Sequence, residues 1–461
     1  MTKSIQRLFS LSNNPIRKDV LNIAWPVLAE MLIGSLFSMV DMMMLGRMKN
    51  TAAAAASVAA VGVTNQPIFI GLALVQALNI GGTAMVARYI GGNQWEKAED
   101  TVKHVLLLNL LFLSIPLSIL GLLFTDQIMA FMGAKTDTLT IGRHYFQIMM
   151  LGFVFQSFNF GIAASLRGAG DTKLPMKINL RVNFFNVIGN AILIYGLLGF
   201  PALGVTGAAI STAFSHLLAT IILTSYLLRG KTTVKIGLNK KFRFSFAIMS
   251  NLIRIGVPAS LEQMALRLGI MFFVKIVASL GTVAYAAHQI CLSIVGLSFH
   301  PGQSFGIATS SLVGKSLGAE KPDQAHAYAR EARKIGSIIS SIMALGFFIF
   351  GEELVSLYSR DQEIIYSAST ALNIIAFVQP FQSSQLILAG GLRGAGDTLW
   401  PLLSTFTGVV IIRSLLCYLF VIVLGYGLAG AWLAVLVDQF IRWILIYHRF
   451  QSGKWKYVKL R

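Results

Sequence analysis

The chain runs to 461 residues, of which 55% are hydrophobic and only 12% charged, a balance that leaves too little polar surface for a water-soluble globular protein. Lys and Arg outnumber Asp and Glu by 38 to 19, an excess that in a soluble domain would point to nucleic acid or an acidic partner. In so apolar a chain the placement of the charges matters more than their sum, and membrane lipid, not nucleic acid, is the expected surrounding.

The first 19 residues are basic and polar, with no short apolar segment and small-residue cleavage site, so no removable signal is expected and the mature chain is read as starting at Met1. About twelve apolar runs follow, at 20-46, 53-80, 92-124, 138-166, 174-198, 203-228, 251-275, 283-312, 324-350, 365-392, 399-424 and 427-449. Each is long enough to cross roughly 30 Å of hydrocarbon as a helix. With the first helix leaving the cytoplasm, about thirty of the 38 basic residues fall at cytoplasmic ends, Lys3, Arg7, Arg17, Lys18, Lys240, Lys241, Lys454, Lys456 and Arg461 among them. The positive-inside rule then puts both termini in the cytoplasm of a cell with the chain in its inner (plasma) membrane. The cysteines, Cys291 and Cys417, lie in separate predicted helices without a His or Cys at metal-ligand spacing, so neither a disulfide nor a metal site is expected.

An internal repeat organises these runs. SLRGAGDTKLPM at Ser165 recurs as GLRGAGDTLWPL at Gly391, an offset of 226 from Arg167 to Arg393. IAWPVLAEM sets Pro26 and Glu30 against Pro258 and Glu262 of IGVPASLEQM, and ARYIGGNQWEKAE sets Ala87 against Gly314 of GKSLGAEKPDQAH. The fold class is therefore all-α integral membrane, with twelve transmembrane helices in two homologous six-helix bundles: an N-lobe at 1-228, a cytoplasmic linker at 229-250 and a C-lobe at 251-461. Six helices return the chain to its starting side, so the copies share orientation and are expected to be related by an axis along the membrane normal. The LRGAGDT stretches are Gly-rich but lack the GK[ST] ending of a phosphate loop; they read as tight turns in which Asp or Thr caps the following helix, with Pro175 or Pro401 in its first turn.

Ionisable groups within the spans need a partner, a watery cavity or a task. The candidates are Glu30, Asp41, Arg143, Arg181, Glu262, Arg267, Arg413 and Asp438. Glu30 precedes Asp41 by three helical turns, about 16 Å, so both acids should face one side. The fifth span carries Asn179, Asn183, Asn186 and Asn190 at spacings of four, three and four, a polar stripe that must turn away from lipid. Counted from the span ends, Asp41, Asn190 and Thr212 lie at similar depth in the outer half. Desolvation disfavours a charged carboxylate, so an acid among amides and hydroxyls there could exchange a proton within a biological pH range. Glu262 follows Pro258 and could be compensated by Gln263 and Arg267. Asp438 and Arg442, four apart, read as an ion pair, with Arg413 at comparable depth. Pro26 and Pro258 remove helical hydrogen bonds and are candidate hinges. The first span also carries Met31, Met39, Met42, Met43 and Met44, soft surface suited to varied apolar ligands.

Taken together, the P-x14-D first helix ending VDMMMLG, the paired LRGAGDT turns, and NVIGNAILIYG followed by LGVTGAAIST resemble the multidrug and toxic compound extrusion (MATE) family over essentially the whole chain. The resemblance implies two six-helix lobes around a V-shaped cavity, antiport of protons or sodium ions, no cofactor, and small lipophilic or cationic substrates. It carries the N-lobe cation site onto Asp41, Asn186, Asn190 and Thr212, although many relatives have an acid where Asn190 stands. Glu30, Phe37, Asn179, Asn183, Glu262, His288 and Gln379 are candidates to line the cavity. Sodium-using relatives of the NorM-like type carry a further acid in the tenth helix; this chain offers Gln379, Gln382 and Gln385 there, which favours H+ over Na+ and the DinF-like branch. A monomer is expected.

Two alternatives remain open in the sequence besides a sodium-coupled exporter of the same family. A lipid or polysaccharide-precursor flippase shares the architecture and would present a more basic cavity, built around Arg143, Arg181 and Arg267. A membrane enzyme would need an HExxH, paired aspartates or a nucleophile-base set at intramembrane depth, and the sequence offers none, so the chain is read as a secondary transporter.

Overall fold

The computed structural model describes residues 14–48, 51–134, 136–237 and 242–458. Lys3, Arg7, Lys240, Lys241 and Arg461, which enter the topology expectation, lie outside them, as does part of the linker. Among the described residues there are twelve long helices and no strand. The first six are α1 (Pro15–Gly46), α2 (Thr51–Gly91), α3 (Trp95–Leu123), α4 (Thr136–Gly168), α5 (Lys173–Tyr195) and α6 (Gly204–Leu228). The second six are α7 (Phe246–Ala278), α8 (Thr282–Gly318), α9 (Pro322–Ile349), α10 (Gln362–Gly394), α11 (Leu399–Val423) and α12 (Gly427–Gln451). Six belong to each copy of the repeat, so the all-α, two-times-six architecture expected from the sequence is the one observed.

Ten of these helices are long and apolar enough by themselves to cross a bilayer. The other two are α5 and α7, the helices that carry the asparagine stripe and Glu262 with Arg267. Several helices outrun their apolar spans; α2 continues to Gly91 and α8 to Gly318. A helix of 41 residues such as α2 is about 60 Å long at 1.5 Å per residue, twice the hydrocarbon thickness, and hydropathy marks only the part that lipid would surround. α1 passes unbroken through Pro26, as α7 does through Pro258. α3 and α11 instead contain π-helical turns, at Leu108–Ser114, Phe406–Arg413 and Leu419–Val423.

The helix ends follow local chemistry. Asn14 Oδ1 accepts from the Ile16 amide at 3.0 Å just ahead of Pro15, the pairing of a side-chain cap with a proline that lacks a donor to satisfy. In the two LRGAGDT turns Gly170 and Gly396 adopt φ of +86° and +85°, a left-handed conformation that a side chain would strain. The aspartates that follow take different tasks. Asp171 Oδ1 accepts from the Leu174 amide at 3.2 Å and caps α5 as expected, whereas Asp397 accepts from Arg449 Nε of α12 at 2.8 Å. Burial pushes the Asp397 carboxyl up from the ordinary range, and Arg449 opposes that rise.

Packing gathers the chain into two compact units. One comprises the described residues up to Leu28, Ala87–Asn93 and Arg254 onward; the other comprises Ala29–Val86 and Gln94–Ile253. In the first unit the opening turns of α1 lie on α8 and α9: Val20 and Ala24 pack with Phe305, Ala308 and Ala332, Arg17 pairs with Glu331 at 2.8 Å, and Tyr328 donates to Asp19 at 2.6 Å. Pro26 stands two residues before the change of unit. Here too the ends of α2 and α8 meet backbone to backbone. A methyl at Gly91 would strike the Lys315 carbonyl, and one at Gly318 would strike the carbonyl of Arg88, a backbone approach that only glycine admits. The core of the second unit joins α2, α4 and α6 through Val75, Phe146, Met149, Phe153 and Ala209.

Candidate functional site

Within the second unit, Asp41 near the end of α1 is the starting point. Its Oδ1 accepts from Asn190 Nδ2 of α5 at 2.8 Å. One turn earlier on α5, Asn186 Oδ1 accepts from the same amide at 3.4 Å. Asn186 Nδ2 in turn donates to Ser211 Oγ at 3.3 Å and Thr212 Oγ1 at 3.2 Å, both on α6. Asn186 and Asn190 are 6% and 1% exposed, so the amides are withdrawn from lipid as a polar stripe must be, while Asp41 is half-buried. The four residues expected from the sequence thus form one hydrogen-bonded chain across three helices. Ser211, adjoining Thr212, was not among them. Its signal was weak, since a serine in an apolar helix is common. No basic residue pairs with Asp41 among the described residues.

The rest of the stripe behaves differently. Asn179 Nδ2 donates to Glu30 Oε1 at 2.6 Å, and Arg167 Nη2 reaches Oε1 and Oε2 of Glu30 at 2.8 and 2.9 Å. Glu30 is therefore neutralised by a fixed cation, unlike Asp41, although both acids sit on the same helix. Asn183, between the two clusters, is half-buried and makes no hydrogen bond within the described residues. Phe37, one turn before Asp41, is half-buried, and Met39, Met42 and Met43 are exposed.

In the first unit the repeat-equivalent acid, Glu262, accepts from Arg393 and from Thr405 Oγ1 at 3.3 Å. This corrects the expected compensation by Gln263 and Arg267. Arg267 is exposed on α7, and the arginine that closes on Glu262 comes from the LRGAGDT turn. Asp438 likewise pairs with Arg413 of α11, not with Arg442. The guanidinium of Arg442 turns to Thr405 and Gln439, at 3.3 and 3.4 Å. A spacing of four puts two residues on one helix face but says nothing of a cation offered by the neighbouring helix. His288 is 0% exposed, enclosed by Phe273, Tyr285 and Trp432, and so opens on no cavity. Gln379 is enclosed as well, at 1% exposed. Arg143, expected at membrane depth, is exposed and lies 3.5 Å from Asp126. No group of three or more His, Cys, Asp or Glu fit for a metal occurs among the described residues.

The profile describing the MatE family matches residues 26–192 and 258–419, one stretch in each copy of the repeat. The chain belongs to the MatE family. Members of that family are transporters, not enzymes, and this one is a multi-pass membrane protein. A probable multidrug resistance protein NorM from Thermotoga maritima is 28% identical over 442 residues, 96% of this chain and 93% of that one. The uncharacterized transporter YisQ from Bacillus subtilis is 27% identical over 95% of this chain and 94% of its own length. Among solved structures, a MOP superfamily transporter from Pyrococcus furiosus superposes with a TM-score of 0.87 at 24% identity, over 98% of this chain and 99% of that one. A multidrug resistance MATE transporter in its outward-facing conformation does so with 0.87 at 22%, over 96% and 97%. Both share the MatE fold of this chain.

Proposed function

We propose that this MatE transporter is a proton-coupled multidrug exporter, exchanging protons for small lipophilic and often cationic compounds, with Asp41 as the group that takes up the proton. The observation that carries the reading is the Asp41–Asn190 hydrogen bond of 2.8 Å, made to a neutral amide and not to a cation. An arginine set against a carboxylate favours its charged form; a neutral amide can serve either form, through its N–H or its oxygen. Asn190 Oδ1 is buried without a hydrogen-bond partner, an acceptor available to a protonated Asp41 once the amide turns over. Proton uptake would then exchange which end of the Asn190 amide faces Asp41, and the change would pass through Asn186 to α6.

In this scheme the lobes at 1-228 and 251-461 present the site alternately to the two sides of the plasma membrane, with the termini in the cytoplasm, the linker at 229-250 between them and a monomer as the working unit. Proton binding in the outward-open state loosens α1, with Pro26 as hinge, and the substrate leaves past Phe37 and the exposed methionines. Coupling to protons and kinship with the DinF-like branch are supported by the absence of a carboxylate beside Gln379, Gln382 and Gln385 on α10. The names of relatives, multidrug resistance proteins from several bacteria, support the substrate class.

Purified protein in proteoliposomes, driven separately by a pH gradient and by a sodium gradient, tests the reading. The pH gradient alone should drive export of an aromatic cation such as ethidium, and Asp41→Asn should abolish it. Export driven by sodium alone, or an Asp41→Asn protein whose pH dependence is unchanged, overturns it.

A further inference from the structure

The first unit contains a recess of about 230 Å³ where α9, α10 and α12 meet, lined by His326, Arg330, Arg333, Leu388, Tyr447, Phe450 and Gln451. Its floor is aromatic: His326 stacks on Phe450 at 5.2 Å, and the guanidinium carbon of Arg333 stands 5.4 Å from the Tyr447 ring centre. The nearby acids are engaged elsewhere. Asp323 pairs with Lys456 at 3.0 Å, and Glu331 with Arg17 and Lys334 at 2.8 and 3.8 Å. Arg330 and Arg333 therefore bring two positive charges to the recess with no carboxylate against them among the described residues. The repeat supplies an internal contrast. At an offset of 227, His326 corresponds to Glu99 and Arg330 to Lys103, and there the pair closes on itself at 2.8 Å. Only the second copy leaves the basic charge uncompensated.

An aromatic and aliphatic track leads away from this recess along α12. Trp443 stacks on Tyr447 at 5.4 Å, Phe440 and Phe381 lie 5.6 and 5.1 Å from Trp443, and Phe440 and Ile444 are 41% and 44% exposed. From Tyr447 to Phe440 is about 10 Å along the helix, from its end toward its middle. A cationic recess at a helix end continuous with an exposed apolar track fits an amphiphile with a phosphate head and a hydrocarbon tail, and guanidinium groups suit phosphate oxygens through paired donors.

We propose that this recess binds an anionic glycerophospholipid, its phosphate between Arg330 and Arg333 and an acyl chain along Trp443, Ile444 and Phe440. Free phosphate would use the head of the site but gain nothing from the track. The test is native mass spectrometry of the purified full-length chain with dioleoylphosphatidylglycerol, with dioleoylphosphatidylcholine as the zwitterionic comparison and inorganic phosphate as competitor. The expected result is preferential retention of phosphatidylglycerol, weakened about tenfold or more in Arg330→Gln/Arg333→Gln and also weakened by Phe440→Ala, with millimolar phosphate unable to displace it. Gln451→Glu, which sets a carboxylate on the exposed rim, should weaken it too and decides the matter should the double variant fail to fold. Unchanged phosphatidylglycerol binding in the folded variants overturns the proposal, as does displacement by phosphate with no effect of Phe440→Ala.

Discussion

Glu30 and Glu262 hold equivalent places in the two copies of the repeat, and each is closed by the arginine of its own copy's LRGAGDT turn, Arg167 and Arg393. The third member also matches in position: Asn179 in one copy and Thr405 in the other are 226 residues apart, as Arg167 and Arg393 are, while the glutamates are 232 apart. In each half a turn between two helices is thus tied back to the helix that opens that half.

Breaking such a tie should be costly, since it strands a carboxylate away from water. Arg167→Ala and Arg393→Ala are each expected to destabilise the protein by about 3–5 kcal/mol, read as a lower midpoint of thermal unfolding in detergent. Adding Glu30→Gln to the first, or Glu262→Gln to the second, should recover part of the loss. A double variant no more stable than the single one would show that the charge pair is not what holds the turn.

Asp41 should behave in the opposite way. It has no cation to strand, so Asp41→Asn is expected to leave the unfolding midpoint within a few degrees of the wild type, as for a change worth less than about 1 kcal/mol, while abolishing proton-driven export. Loss of both fold and transport would assign the residue to structure instead.

Gly91 and Gly318 admit no side chain without moving backbone. Gly91→Ala and Gly318→Ala should each cost at least about 1–3 kcal/mol, whereas Gly296→Ala, where an added methyl meets nothing within 4 Å, should be neutral or gain up to about 1 kcal/mol from helix propensity. Detergent-solubilised yield and unfolding midpoint of the three variants check the ranking.

His104 tethers the segment that leads into α7. Its Nδ1–H donates to the Asp100 carbonyl at 2.7 Å, its Nε2 accepts from the Ser245 amide at 2.8 Å, and its ring contacts Phe242 and Phe244. His104→Ala should free that segment, raising the rate of tryptic cleavage at the exposed Lys235 and Arg243 several-fold, about what loss of a buried hydrogen bond worth 1 kcal/mol allows. An unchanged cleavage rate would refute the tether.

The twelve helices and the repeat were legible in the sequence because lipid imposes length and composition on every crossing, and because three motifs recur in register. Helical spacing marked the asparagine stripe and set Asp41, Asn190 and Thr212 at one depth, because polar side chains in lipid must find one another; the full set with Asn186 came from the family resemblance. The partners of Glu30 and Glu262 were not. Arg167 and Arg393 belong to a motif whose glycines announce a turn, and nothing in the spacing of that motif points to a helix more than 130 residues away in the chain. The signal was present, since both copies retain the acid after the proline and the arginine before the glycine. The Arg413–Asp438 pair was obscured by Arg442, which offered a nearer partner along the chain than the one packing supplies.

The meeting of α2 with α8 is reciprocal. Gly91 receives the carbonyl of Lys315 while Gly318 receives that of Arg88, so each copy gives the other what it takes, the mark of a local two-fold relation. A side chain added at either glycine therefore pushes on both helices at once, and the two positions are expected to tolerate change equally poorly.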